Sequence, residues 1–590
     1  MNRPTARLDA LQKLARDSAV ALDASDLGAA RATRHSFARS FLRLAARERW
    51  TVTREVFELD DDGRGTVIYR VDYHLNRDTN GDTKSGMAEP VRLVAFPTVV
   101  EESQRNDRVI AETWDLTAAL CRGPVDAARI DALRQQVSTQ EGGRADVGTL
   151  VWTRANRSAR FFDHVVERLA NGQQPEPSVI GDGAYVMRST AFYANGKWGL
   201  TDFEGCDEAD PLAVPYRAQM LTAWLVRELS LDLVDHCAAR RGSNPTSLDR
   251  EWRRYFGLGN ATGLGMVPYV INHPQVFDAW VAVRELPLAN ALKADWSPDS
   301  SEAALVVTLL DRAVCHFAER PSLSTEPYLS GPVLADLLAP IAAMAERYCD
   351  GDAESLPSSP PSATLATRLH KRAAEAGAEV RAIVDSILVE VDESLDDEIE
   401  LLLRVDERAR TGMMARCSDL QAMIDSAYAW VREFDFADPD ESARFWFSSA
   451  DSQEPRRGFR GIDPGESVEH AIDVARRISE LADALVHVPD DRPVVEFVLD
   501  HPAMRWAVDR VYSCHDLVYG EPHVNPLGER FLPLDLQRFQ LAAYGMENFS
   551  PQSTDWLRVT LYAGAPRVQD VAAGVDDDWS FAAKPQDAPV

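Results

Sequence analysis

Tyr255-Phe-Gly-Leu-Gly-Asn-Ala-Thr-Gly-Leu-Gly-Met-Val-Pro-Tyr-Val-Ile-Asn-His-Pro274 is the stretch on which the reading of this chain turns. Four glycines, Gly257, Gly259, Gly263 and Gly265, fall within nine residues. Glycine lacks Cβ, so it accepts positive φ and lets backbone come close to a ligand. A glycine-dense turn feeding a helix presents free N–H groups and the positive end of the helix dipole. Pro268 and Pro274 suit first-turn helix positions, where no N–H is needed. Asn260 and Thr262 add short polar side chains, and Arg253 and Arg254 lie just upstream. The expectation is a loop that holds a carboxylate or phosphate. The plainer alternative is a tight helix–helix connection whose glycines relieve crowding.

Familiar nucleotide loops are excluded. The spacing Gly-x-Gly-x-x-x-Gly-x-Gly is not a dinucleotide fingerprint, and it follows a helix-like run, Leu248 to Tyr255, where that fingerprint needs a strand. Gly-Lys-Ser/Thr does not occur, so this is no Walker loop.

Upstream, the helical pattern runs back to Pro215. Tyr216, Met220, Trp224, Leu225, Leu229, Leu233 and His236 form one apolar face, with Glu228, Asp232 and Asp235 along the same helix. Carboxylates one turn apart beside a histidine invite a di-metal reading, but that needs a second helix with Glu-x-x-His. The chain has none, and no metal ligand is assigned. Before this helix the character is β. Val67, Tyr69, Val71 and Tyr73 alternate after an Asp60-Asp61-Asp62-Gly63 turn, and Val91 to Val100 is a further apolar run. The loop between them, with Asp78, Asn80, Asp82 and Glu89, mimics calcium-loop spacing, yet Thr83 replaces the required glycine. Arg154, Arg157 and Arg160, at three-residue spacing, would share one helical face, and Asn156-Arg157-Ser158 is an anion-binding candidate. Tyr185 to Phe203 reads as a hairpin about Asn195-Gly196. Residues 7–48 read as two helices.

Downstream, helices are expected at 301–319, 328–349, 364–391, 418–434 and 466–486, with a last strand at Leu557 to Tyr562. Asp350 to Thr364, rich in Asp, Ser and Pro, marks the linker. The acidic run Glu390 to Glu400 reads as solvated surface. Arg456, Arg457 and Arg460 lie in a Gly/Pro-rich stretch and form a second anion-site candidate, because arginine binds carboxylate or phosphate with two parallel bonds. His515, Asp516 and His523 offer imidazole beside carboxylate, and His273 and Glu285 lie just past the glycines. Tyr544 and Glu547 suit a pocket wall.

The 590 residues carry a net charge of −30, which argues against nucleic-acid or anionic-membrane partners. Seven scattered cysteines, none in a Cys-x-x-Cys pair, fit a reducing cytosol. The N-terminus lacks a secretory apolar region, and no window is long and apolar enough to span a bilayer.

The expected fold is mainly α with a smaller β element in the N-terminal third, as two packed helical lobes. The expected units are an α+β lobe at 1–350, a linker at 351–363, a mainly helical lobe at 364–575 and a disordered tail at 576–590. The expected function is a cytoplasmic enzyme acting on a small anionic metabolite by acid/base chemistry. His515, His273, Glu285 and Glu547 would transfer protons. Gly259, Asn260, Thr262, Gly263, Arg456, Arg457, Arg460 and Tyr544 would bind substrate. The partner is then a small molecule, with a homo-oligomer open; the cofactor is unknown. The competing classes are a non-catalytic helical scaffold and a metal- or haem-dependent oxygenase.

Overall fold

Alternating apolar residues build a sheet here, and a helix buried on every side over most of its length fills it. The computed structural model describes residues 37–75, 87–98, 115–138, 149–194, 210–260, 287–319, 330–351, 363–391, 415–437, 471–501 and 549–575. Short gaps fall at 182–183, 214–216, 295 and 554–555, and 504, 507–508, 511–512 and 584–585 are also described.

The strands are β1 (Thr51–Leu59), β2 (Gly65–Asp72), β3 (Val91–Pro97), β4 (Leu116–Arg122), β5 (Thr149–Arg157), β6 (Tyr185–Ala194), β7 (Gly257–Asn260), β8 (Phe549–Ser553) and β9 (Trp556–Leu561). They form one curled sheet in the order β1-β2-β3-β4-β5-β6-β7-β9-β8. Every pairing is antiparallel except β6 with β7. A parallel pair needs a long crossover. Here the crossover carries helices α4 (Arg217–Arg241) and α5 (Arg250–Tyr255). Helices α1 (Phe37–Arg47), α2 (Ala127–Ser138) and α3 (Phe162–Ala170) complete the sheet region.

This overturns the expected fold. The β structure is not a minor element of the N-terminal third, nor are there simply two helical lobes: the sheet draws strands from Thr51 to Leu561. The chain leaves the sheet after β7 and re-enters at β8 and β9, and β9 pairs directly with β7. The strand signal at 557–562 is visible in sequence, but its partner almost 300 positions earlier is not.

Side chains one strand position apart point to opposite faces. Val67, Tyr69, Val71, Val91, Leu93, Ala95, Leu116, Ala118, Leu120 and Val151 face inward to the main core. Ile68, Val94, Phe96, Ala119, Cys121 and Trp152 face outward and pack with Leu133 of α2. Helix α4 occupies the inner side. It presents no single apolar face, contrary to expectation: from Arg217 to Leu231 every residue is buried. A helix enclosed all round is a core helix, not a surface one.

The C-terminal segment seals this core. Trp224 Nε1 donates to Pro566 O at 3.0 Å, and Tyr562 Oη donates to Met220 O at 2.9 Å. Helix α13 (Val568–Ala572) then packs on β1 and α1. Its Asp570 takes Arg250 at 3.0 Å and Arg567 at 3.1 Å.

Helices α6 (Ser301–Ala318), α7 (Gly331–Cys349), α8 (Leu365–Ala376) and α9 (Ala378–Glu390) extend the same core. Gly377, at φ +132, breaks the expected single helix of 364–391 into α8 and α9. Glu390, read from sequence as surface, is buried and paired with Arg39 and Arg43 of α1. Helices α10 (Cys417–Ala427), α11 (Ala471–Leu485) and α12 (Val494–Asp500) form a separate cluster around Leu420, Leu481 and Phe497. The expected linker lies almost wholly outside the described residues, as does the expected tail except for 584–585.

Candidate functional site

Most residues singled out in the sequence lie outside the described residues: His515, His273, Glu285, Glu547, Thr262, Gly263, Arg456, Arg457, Arg460 and Tyr544. Gly259 and the backbone of Asn260 are placed, and they are strand, not loop. The reason is packing. A Cβ on Gly257 would sit 2.5 Å from Leu561 O, and one on Gly259 would sit 2.7 Å from the Tyr185 ring. These two glycines let β7 fit between β6 and β9. That is a close-approach role, achieved between protein segments.

The acidic stripe of α4 is absorbed by cations. Arg227, fully buried, donates to Phe256 O at 2.8 Å, Arg253 O at 2.7 Å and Arg254 O at 3.0 Å, and pairs with Glu228 at 2.6 Å. It thereby caps the C-terminal carbonyls of α5. Burial pushes the Glu228 carboxyl up against the opposing pull of Arg227. One turn on, Tyr69 Oη donates to Asp232 Oδ2 at 2.5 Å, and Arg253 bridges Asp232 at 3.1 Å and Asp235 at 2.5 Å. Burial, reinforced by Asp232, raises the Tyr69 phenol well above its ordinary value. Burial works against the Arg253 cation, but Asp235 and Asp232 outweigh it and hold its pKa above the usual arginine range. His236 Nε2 lies 2.8 Å from Asp60 O; a carbonyl only accepts, so this nitrogen carries the proton. Among the described residues no three His, Cys, Asp or Glu side chains cluster as metal ligands.

The arginine triplet is also redistributed. Arg154 and Arg157 lie on strand β5, not on a helix, and Arg160 follows it, exposed. Arg157 turns inward, its guanidinium 4.6 Å from the centre of the Phe162 ring and its Nη2 donating to Asp62 O at 3.3 Å. Arg154 turns outward, 5.0 Å from the centre of the Trp152 ring. Both are buried, at 5% and 7% exposure.

On the outer face the register lines up a polar row that sequence reasoning missed. Asn156 stands opposite Arg188, Arg188 opposite Gly259, and Gly259 opposite Thr560. Directly opposed residues on neighbouring strands share a face. The row thus crosses β5, β6, β7 and β9, with glycine as the position lacking a side chain. Asn156 and Thr560 are buried, and Arg188 is half-buried. Arg154, Arg188 and Thr560 each take part in further interactions. Among the described residues no donor reaches Asn156 Oδ1. The pairing of 156, 188, 259 and 560 could not be read from sequence, because it depends on two crossovers.

The chemistry of these strands is one-sided. Strands β3 to β9 contain Arg92, Arg122, Arg154, Arg157, Arg188 and Arg558, but no aspartate, glutamate, lysine or histidine. Acidic residues fill 93 of the 590 positions, so the sheet is a basic structure inside an acidic chain. Arg92 and Arg122 are met by Glu55 and Asp210, which lie off these strands. The chain matches no protein-family model, no curated protein and no solved structure.

Proposed function

We propose that the protein binds a small carboxylate- or phosphate-bearing metabolite against the outer polar row and acts on it by proton transfer. The observation that supports this reading is the distribution of charge over the sheet. Seven consecutive strands carry six arginines and no acid in a chain of net charge −30. An anion approaching an acidic body needs a local reversal of the field, and guanidinium groups in a low-dielectric setting supply it. Arginine also gives planar, paired donors suited to carboxylate or phosphate oxygens.

The row itself holds no acid or histidine, so proton transfer falls in this reading to groups brought over it by other segments. His515, His273, Glu285 and Glu547 remain the proposed proton carriers, and Arg456, Arg457, Arg460, Thr262, Gly263 and Tyr544 the proposed further contacts. Among the described residues no helix is long and apolar enough to cross a membrane.

The test is calorimetric titration of the full chain with citrate and with orthophosphate, alongside Arg188→Gln. Saturable binding that the substitution weakens at least tenfold, with the melting temperature of the free protein unchanged, is the expected result. Absence of saturable binding to either anion up to millimolar concentration overturns the proposal.

A further inference from the structure

We draw no further inference here: the strongest candidate, the side-chain pair of His370 on α8 and Asp385 on α9, 2.6 Å apart across the Gly377 break, carries nothing beyond the fold, because apolar residues of both helices sit in the main core and hold them together whatever the charge on His370.

Discussion

Arg227 donates through Nε to the carbonyl of Phe256 at 2.8 Å, and that bond ties the central helix to the start of the glycine strand. The same guanidinium holds the Arg253 and Arg254 carbonyls and the Glu228 carboxylate. Removing one member of a buried pair leaves the other charged and unpaired, which costs about 3–5 kcal/mol. Arg227→Met should therefore lose about that much in urea unfolding followed by circular dichroism. Adding Glu228→Gln should recover part of it. A single variant as stable as the wild type would show that the carbonyls find other donors.

Gly257→Ala should be more damaging than Gly259→Ala. The first places a methyl 2.5 Å from Leu561 O, which is backbone and cannot move alone. The second meets the Tyr185 ring at 2.7 Å, which is part of a side chain. Overpacking costs about 1–3 kcal/mol. Melting temperatures of the two variants check the order; a reversed order would contradict the placement of β7 between β6 and β9.

Tyr69 links stability to alkaline pH. Its pKa is raised in the folded chain, first by burial and then by Asp232, so the neutral phenol is the folded form. The sign follows: this contribution is complete below about pH 10 and is lost as pH climbs through the raised value. Tyr69→Phe should cost about 1.5–3 kcal/mol at neutral pH, the worth of a hydrogen bond to a charged group. It should also flatten the stability profile above pH 10, measured by denaturant melts at successive pH values.

His164 acts in the opposite direction. Burial, then the Arg168 cation, lower its pKa from 6.5. Protonation therefore favours the unfolded chain, so its contribution is present above about pH 6.5 and is lost as pH falls through the lowered value. His164→Asn should narrow the difference in melting temperature between pH 7.5 and pH 5. An unchanged difference would place the acid sensitivity elsewhere.

Deleting residues 556–590 should unfold the sheet region and not merely shorten the chain. The deletion removes the Trp224 and Tyr562 bonds, the β7–β9 pairing and the Asp570 contacts together. Far-ultraviolet circular dichroism and limited proteolysis of the truncated protein report the loss. A protease-resistant product retaining native β signal would contradict it.

What could be read from the sequence was local. The turn at Asp60 to Gly63 is legible because Asp60 Oδ1 accepts from Asp62 N at 3.0 Å and Arg64 N at 2.8 Å, and Gly63 supplies φ +81. Alternation named β2, a continuous apolar run named β3, and helical periodicity named α6 and α7. Arg154, Arg157 and Arg160 misled because a three-residue spacing says nothing about their neighbours; Thr149 to Arg157 is a strand enclosed on both sides. The acidic stripe Glu228, Asp232, Asp235 invited a di-metal reading that the lack of Glu-x-x-His set aside; what the stripe does instead was hidden because its partners, Arg227 apart, come from other segments, among them Tyr69 and Arg253. The Gly259 region reads in sequence as a loop whose backbone approaches a ligand; among the described residues Gly259 lies in a strand and the group close to it is Tyr185. Nothing local announces that residue 156 will stand in one row with 188, 259 and 560.

The late return of β9 sets a timetable for synthesis. Once β7 ends at Asn260, the ribosome must add nearly 300 residues before Trp556 arrives to flank it. At about 5–20 residues per second that is a delay of roughly 15–60 s. Throughout it the nascent strand at β7 has an unsatisfied edge and the apolar surface of α4 lacks its final cover. Such an interval invites wrong pairings between neighbouring chains on a polysome. Slow translation or a holding chaperone should therefore govern how much of this protein a cell recovers intact.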